Sequence, residues 1–437
     1  MSRNIVIMGA AGRDFHVFNC IYRDNPDVNV VAFTATQIPH IENRRYPPSL
    51  AGSQYADGIP IRDESELDDI LNQNNIDEVV FAYSDVSNDY VTERKRQVEA
   101  HGVAFSTFDI AATMIPSSRP VIAVNAIRTG CGKSQTSRRV THILRDLGKK
   151  TVAIRHPMPY GDLAKQAVQR FETFEDLDLH QCTIEEREEY EPHIRNGVIV
   201  YAGVDYGAIL AEAEKEADVI VWDGGNNDTP FYKPDLWIAV TDPHRVGHEF
   251  EYFPSSYNFE GADLILINKI DSAEEGDIQA AVDNAQQANP DAIIVKAASP
   301  LDVPNAEAIR GKRILAVEDG PTTTHGGMKF GAGILAAKRN GAAEIIDPRP
   351  WAVGELKDTF EHYPETGPLL PAMGYGEQQV RDLEATINAV DCDLVIVATP
   401  IDLTRILKID KPFVRVGYRL EEQGDEFVNA VTKAANA

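Results

Sequence analysis

Short apolar runs alternate along this chain with longer stretches whose apolar residues recur every three to four positions. That is the signature of buried strands separated by amphipathic helices. In the first unit, Asn4–Met8, Val28–Thr34 and Glu78–Tyr83 read as strands with helical segments between them. A second set follows: the apolar run that opens Val121–Ser134, Thr151–Ile154, Ala217–Asp223 and the apolar run of Leu264–Asp271. A third comprises Arg313–Val317, Glu344–Ile346, Asp393–Ala398 and Phe413–Val416. The rhythm predicts an α/β protein of three units, residues 1–118, 121–312 and 313–437, with Ile115–Pro120 (IPSSRP) as the first linker.

The first unit opens on a strand followed by Gly9-Ala-Ala-Gly12-Arg13-Asp14 and a helix, which predicts a Rossmann-like domain. The third glycine of the dinucleotide fingerprint is missing. The second strand also runs into Thr34-Ala35-Thr36 without the acid that would hold a ribose, so NAD is disfavoured. The two glycines then serve a tight turn, the alternative being an anion site assisted by Arg13 and His16.

The second unit carries the most specific chemistry. Val121–Ala126 breaks into Ile127-Arg-Thr-Gly-Cys-Gly-Lys-Ser134, a Gly-rich turn between a strand and a helix. Backbone N–H groups of such a turn wrap a triphosphate, Lys133 reaches its β/γ oxygens and the Ser134 hydroxyl ligates Mg²⁺. Thr129, Gly130, Cys131, Gly132, Lys133, Ser134 and Gln135 are thus the expected nucleotide-binding set, although Ile127 stands where the common pattern has its first glycine. Asp223, at the end of an apolar run and before two glycines, suits a Mg²⁺ or water-positioning role. Asn268-Lys269-Ile270-Asp271 ends another strand. Asp271 could accept from the adjacent N–H groups of guanine, with Lys269 covering the base and Asn268 tying the loop. Strand ends are where ligands sit in open parallel sheets. Arg155, His156 and Asp162, after the strand that starts at Thr151, face the γ-phosphate in such a fold. Asp162 is expected to hold Mg²⁺ or orient a nucleophile.

Composition narrows the picture without changing it. The 437 residues are 43% apolar and 25% charged, the balance of a globular protein, with no apolar stretch long enough to cross a membrane. A net charge of −26, from 42 basic and 68 acidic residues, argues against a nucleic-acid partner and suits a halophilic, self-repelling acidic surface. The expected location is cytoplasmic, with a second copy of the chain as a candidate partner. The four cysteines lie far apart, which points to reduced thiols. His180, Cys182 and His193 flank Glu185–Glu191, which reads as a solvated helix face rather than a metal site. The charged stretch 163–200 around it reads as an insertion or lid. In the third unit, Glu318–Gly333 (EDGPTTTHGGMKFGAG) is dense in anion donors, and Thr322, Thr323, Thr324, His325, Gly326, Gly327 and Lys329 are expected to grip a substrate.

Asn125–Ser134 resembles the variant phosphate loop of the dethiobiotin-synthetase-like branch of P-loop NTPases, which also lacks the first glycine. The longer strings MGAAGRDFH (8–16), RTGCGKSQTSR (128–138), RHPMPYGD (155–162), WDGGNND (222–228) and EDGPT (318–322) resemble the cyclic 2,3-diphosphoglycerate synthetase-like family, also described as predicted GTPases. The resemblance implies a Rossmann-like domain, a central P-loop nucleotide-binding domain with a parallel sheet, and a C-terminal α/β domain. It implies Mg²⁺-dependent phosphoryl transfer from ATP or GTP to a small phosphorylated acid, closing an intramolecular phosphoanhydride. The alternative is a GTPase switch or metallochaperone whose hydrolysis drives docking to a partner protein, which the NKID element favours.

Overall fold

The computed structural model describes residues 2–36, 44–156, 161–225, 227–324, 326–373 and 377–437. It has three parallel or mostly parallel sheets. Six strands form the first, in the order Arg45–Tyr46, Ile59–Asp63, Val28–Ala35, Arg3–Met8, Glu78–Phe81 and Ala104–Thr107. All pair in parallel except the first two. Continuous apolar strands such as Ile5–Met8 are buried on both faces, as a parallel sheet covered by helices requires.

The central sheet has nine strands. Its order is Gln169–Phe171, Ile199–Ala202, Thr151–Arg155, Val219–Asp223, Val121–Ala126, Leu236–Thr241, Leu264–Ile267, Ile293–Ala298 and Glu421–Glu422. The seven inner strands are parallel and the two edges antiparallel. Val121–Ala126 lies between Val219–Asp223 and Leu236–Thr241, so the turn that follows it opens at the middle of the sheet's carboxyl edge. The third sheet runs Glu344–Ile345, Arg313–Asp319, Leu394–Ala398, Phe413–Arg415, with Leu370–Ala372 also paired to Arg313–Asp319, all in parallel.

Two boundaries differ from the sequence reading. Residues 163–200 are no detached insertion: Gln169–Phe171 extends the central sheet, and the helix Ile184–Arg195 packs under it through Tyr190 and Ile194. The C-terminal tail does not stay with the third unit. Glu421–Glu422 pairs with Ala297–Ala298, and the helix Glu426–Ala434 puts Phe427, Val431 and Ala434 into the core of the central sheet. Its apolar residues recur at three- and four-residue spacing, but which sheet they cover depends on distant packing. Among the described residues no helix is long and apolar enough to cross a membrane.

Candidate functional site

The turn after Val121–Ala126 enters the helix Lys133–Asp146 through Gly132, whose φ is 110°. A side chain there would put its Cβ 2.0 Å from Asn268 Nδ2, so only glycine fits. No side chain caps the first turn of this helix, which leaves its N–H groups facing the cleft with Ser134. The NKID segment braces the turn from behind. Asn268 Nδ2 donates to Cys131 O (2.8 Å), and Lys269 Nζ donates to Gly130 O (2.6 Å) and Asp242 Oδ2 (2.8 Å). Arg245 donates to Thr129 O and to Asp242. Burial pushes the Asp242 carboxyl up, but Lys269 and Arg245 outweigh it and hold it at about 2. Asp271 lines the cleft; one carboxylate oxygen accepts from Ser299 N at 2.7 Å, and Ser299 Oγ donates to Gln135.

At the far end of the turn, Asp223 is 1% exposed and gathers three cationic or polar partners. Lys133 Nζ and Arg155 Nη1 each lie 2.7 Å from Oδ1, and His193 Nε2 lies 3.0 Å from Oδ2. Burial alone would raise the Asp223 carboxyl, yet Arg155, Lys133 and His193 hold it well below the ordinary range. Arg155 also pairs with Glu189. Ser134 and the Asp223 carboxylate supply the hard oxygen donors that Mg²⁺ takes alongside triphosphate oxygens, so the residues fit that cation. Among the described residues no group of three or more His, Cys, Asp or Glu could hold a metal by itself.

The first unit clamps this site. Asp85, in the left-handed region at φ 59°, accepts from Arg128 Nε (2.6 Å) and Thr129 Oγ1 (2.7 Å). Arg13 Nε donates to Asp228 (2.7 Å) and its guanidinium lies 4.0 Å over the Phe231 ring. The Gly9–Gly12 turn is no anion site. The Asp14 carboxylate accepts from the N–H groups of Ala11 (2.9 Å), Gly12 (3.2 Å) and Phe15 (2.7 Å), and His16 is buried against Phe231 with Nε2 on Thr113 O.

Several expected residues sit elsewhere than the spacing suggested. Asp162 is exposed, accepts from Ala164 N and is not among the described residues that line the cleft, because its carboxylate closes a turn with the residues that follow it. Lys329 is also outside, paired with Glu365 at 2.9 Å on the surface. Thr322, Thr323 and Thr324 do line the cleft, but the Thr323 and Thr324 hydroxyls donate to Asp319 O and Gly320 O, closing their own helical turn. Gly326 offers its carbonyl to Arg245, and Gly327 continues that turn. The dense run of donors thus serves local structure more than an incoming anion. His156 lines the cleft, with Nε2 3.6 Å from Asp228 Oδ2. His325 lies outside the described residues, as do Asn226 and residues 157–160 of the family strings.

The largest departure concerns the helix Ile184–Arg195. Its glutamates do not form a solvated face: Glu185, Glu186, Glu188 and Glu191 are all buried, and Glu185, Glu188 and Glu189 line the cleft. Asp319 and Glu318 face the same space from the end of the third unit's central strand. Burial raises Glu318 and Glu186 to about 7 and Asp319 to about 6, against partial relief from backbone donors. The cleft, of about 840 Å³, therefore has a cationic end at Lys133 and Arg155 and a carboxylate-rich flank beside it. Sequence reading missed Asp85, Glu188 and Asp319; the last was readable, standing where a strand breaks into Gly-Pro.

No protein-family model matches the chain. It is 60% identical over 422 residues to arginine synthetase ArcE of Thermococcus kodakarensis, an alignment spanning 97% of this chain and 94% of the relative. Among solved structures, LpxK of Aquifex aeolicus, determined with ATP, superposes with a TM-score of 0.44 at 11% identity, covering 79% of this chain and 95% of that one. Cobyrinic acid a,c-diamide synthase of Mycobacterium smegmatis, with a bound ATP analogue and magnesium, gives 0.19 at 17% identity over 41% and 71%. Likeness at those two levels says nothing of what this chain binds.

Proposed function

The chain belongs to the family of arginine synthetase ArcE, and from that premise we propose that it is a synthetase that forms arginine at the expense of a nucleoside triphosphate. One observation carries this reading: a glycine turn with Lys133 and Ser134 and a carboxylate-rich flank share a single cleft. The first suits a triphosphate, and the second suits a cationic guanidinium group. The flank is poorly matched to 2,3-diphosphoglycerate, which would bring several negative charges against Glu185, Glu188 and Asp319.

The chemistry follows from what each end offers. Lys133 and the N–H groups of residues 130–134 hold the β/γ-phosphates, with Lys133 and Arg155 drawn from Asp223 toward the new charge. Ser134 and Asp223 would hold Mg²⁺, which would supply further charge neutralisation at the triphosphate. A ureido oxygen of an arginine precursor attacks the γ-phosphorus, the bond to the bridging oxygen breaks and the nucleoside diphosphate leaves. A nitrogen nucleophile then adds to the activated carbon, phosphate departs with the carbon–oxygen bond electrons, and the guanidinium remains. Such transfers rest on positioning and charge neutralisation.

The test supplies the protein with Mg²⁺, ATP or GTP, a ureido amino acid and ammonium, and follows arginine by chromatography and phosphorus products by NMR. Arginine formed in step with nucleoside diphosphate is the expected result. A cyclic phosphoanhydride from 2,3-diphosphoglycerate would instead restore the reaction implied by the family strings. GTP hydrolysis indifferent to every small molecule would favour the switch. Asp271 is proposed to read the base: Asp271→Ala should lower affinity for the preferred triphosphate by about tenfold and erase the difference between ATP and GTP. Unchanged affinities in a binding titration would remove Asp271 from that role.

A further inference from the structure

Glu188 stands out among the buried charges of the cleft. It is 5% exposed, its Oε1 has no hydrogen-bond partner, and it lines the cleft wall. Glu191 also has unbonded oxygens but lies off the cleft beside Arg187 and Arg195, whereas Asp223 has Lys133 and Arg155, Asp242 has Lys269 and Arg245, and Glu318 has the Ile334 N–H. A buried carboxylate without a partner costs several kcal/mol, about 1–3 for the missing bond alone and more for a charge. Such a cost persists where a ligand relieves it. Glu185 and Glu189 from the same helix, Asp319 from the third unit and the Tyr418 hydroxyl crowd the same space. Glu189 is already paired with Arg155, which places this acidic group directly beside the cluster that holds the phosphates.

We propose that Glu188, flanked by Asp319 and Glu185, is the seat of an ammonium ion, and that Glu188 takes its proton to release ammonia for attack on the activated carbon. This rests on the arginine-forming reading above. The ligand is a small cation because the surroundings are carboxylate oxygens. It is not assigned as a metal, since no three His, Cys, Asp or Glu among the described residues converge to hold one. Burial and the like charges of Asp319, Glu185 and Glu189 raise the Glu188 carboxyl, and a bound ammonium, as the opposite charge, favours its ionised form, which then accepts the proton. The step balances. Ammonium gives one proton to the Glu188 carboxylate, the ammonia lone pair forms the new carbon–nitrogen bond, and the carbon–oxygen bond breaks with its electrons going to phosphate. One proton of the added nitrogen leaves with that phosphate, and the product is a guanidinium.

The experiment compares Glu188→Gln and Glu188→Asp with the unaltered protein, using ammonium and, separately, hydroxylamine, which is uncharged at neutral pH and needs no deprotonation. With ammonium, Glu188→Gln should lose about a hundredfold in kcat and raise KM for ammonium about tenfold, the loss of one charge-assisted hydrogen bond. With hydroxylamine the same variant should stay within about tenfold of the unaltered protein. Glu188→Asp, which keeps the charge, should fall between. Nucleotide affinity, measured by titration, should be unchanged in both variants and reports that they fold. Equal losses with the two nucleophiles, or an unmoved KM for ammonium, would overturn the assignment while leaving arginine formation intact. Failure of the unaltered protein to make arginine from ammonium, or the N-hydroxyguanidine from hydroxylamine, would overturn the underlying reading as well.

Discussion

The molecule contains two glycine turns of the same design, Gly9–Asp14 and Gly130–Ser134, and they have opposite fates. Each follows a central parallel strand and leads into a helix. Each needs a glycine with positive φ, at Gly9 (131°) and Gly132 (110°), where a Cβ would collide with a neighbouring side chain. In the first, Asp14 turns back and fills the nest of N–H groups with its own carboxylate. In the second no side chain does so, and Lys133 and Ser134 face an open cleft. A glycine turn is thus an anion site only when the following residues leave its donors unclaimed. One internal acid converts a binding loop into a structural corner.

The strongest way to break this contrast is Lys133→Ala. It removes the cation from the open turn and leaves Asp223 with two of its three partners, and kcat should fall about a thousandfold in a turnover assay. Nucleotide turnover that survives undiminished would mean that the open turn is not the phosphate site. The next effect is on the closed turn. Asp14→Ala should lower stability by about 1–3 kcal/mol, since three N–H groups lose their acceptor, with nucleotide affinity unchanged. Millimolar sulfate should recover part of that loss in a denaturant titration, by occupying the vacated donors; no recovery would mean the nest collapses without its acid.

The smallest expected effect is a pH dependence. Asp14 and Asp319 are raised by burial to about 6, and Glu186 and Glu318 to about 7. The folded protein therefore keeps protons that the unfolded chain has lost, and their stabilising contribution, full below the unfolded values, is lost as pH rises through about 6 to 7. Asp223 and Asp242 are shifted the other way. Their contribution is complete above the ordinary carboxylate range and does not change in this window. Tm should accordingly be lower at pH 7.5 than at pH 5. Glu188→Gln should narrow that difference, since Glu188 is raised too; an identical pH slope in the variant would contradict this.

Local signals carried the strands and the glycine turn that opens on the cleft. Val121–Ser134 is legible because hydrophobic period, glycine and lysine all act within fourteen residues. Thr322–Lys329 misled for the same reason: hydroxyls and a lysine close in sequence looked like a converging site. In the fold, the Thr323 and Thr324 hydroxyls satisfy their own backbone and Lys329 points to Glu365. The helix Ile184–Arg195 misled in the other direction, because five glutamates in seven residues, Glu185–Glu191, have the composition of a solvated surface.

From its sequence alone, this protein was bound to be an α/β chain with a glycine turn between a strand and a helix, since periodicity and glycine conformation are properties of neighbouring residues. Which charges are buried was decided only by the tertiary structure. The free energy of a carboxylate depends on what packs against it, and the groups that surround Glu188 come from residues as distant as Asp319 and Tyr418.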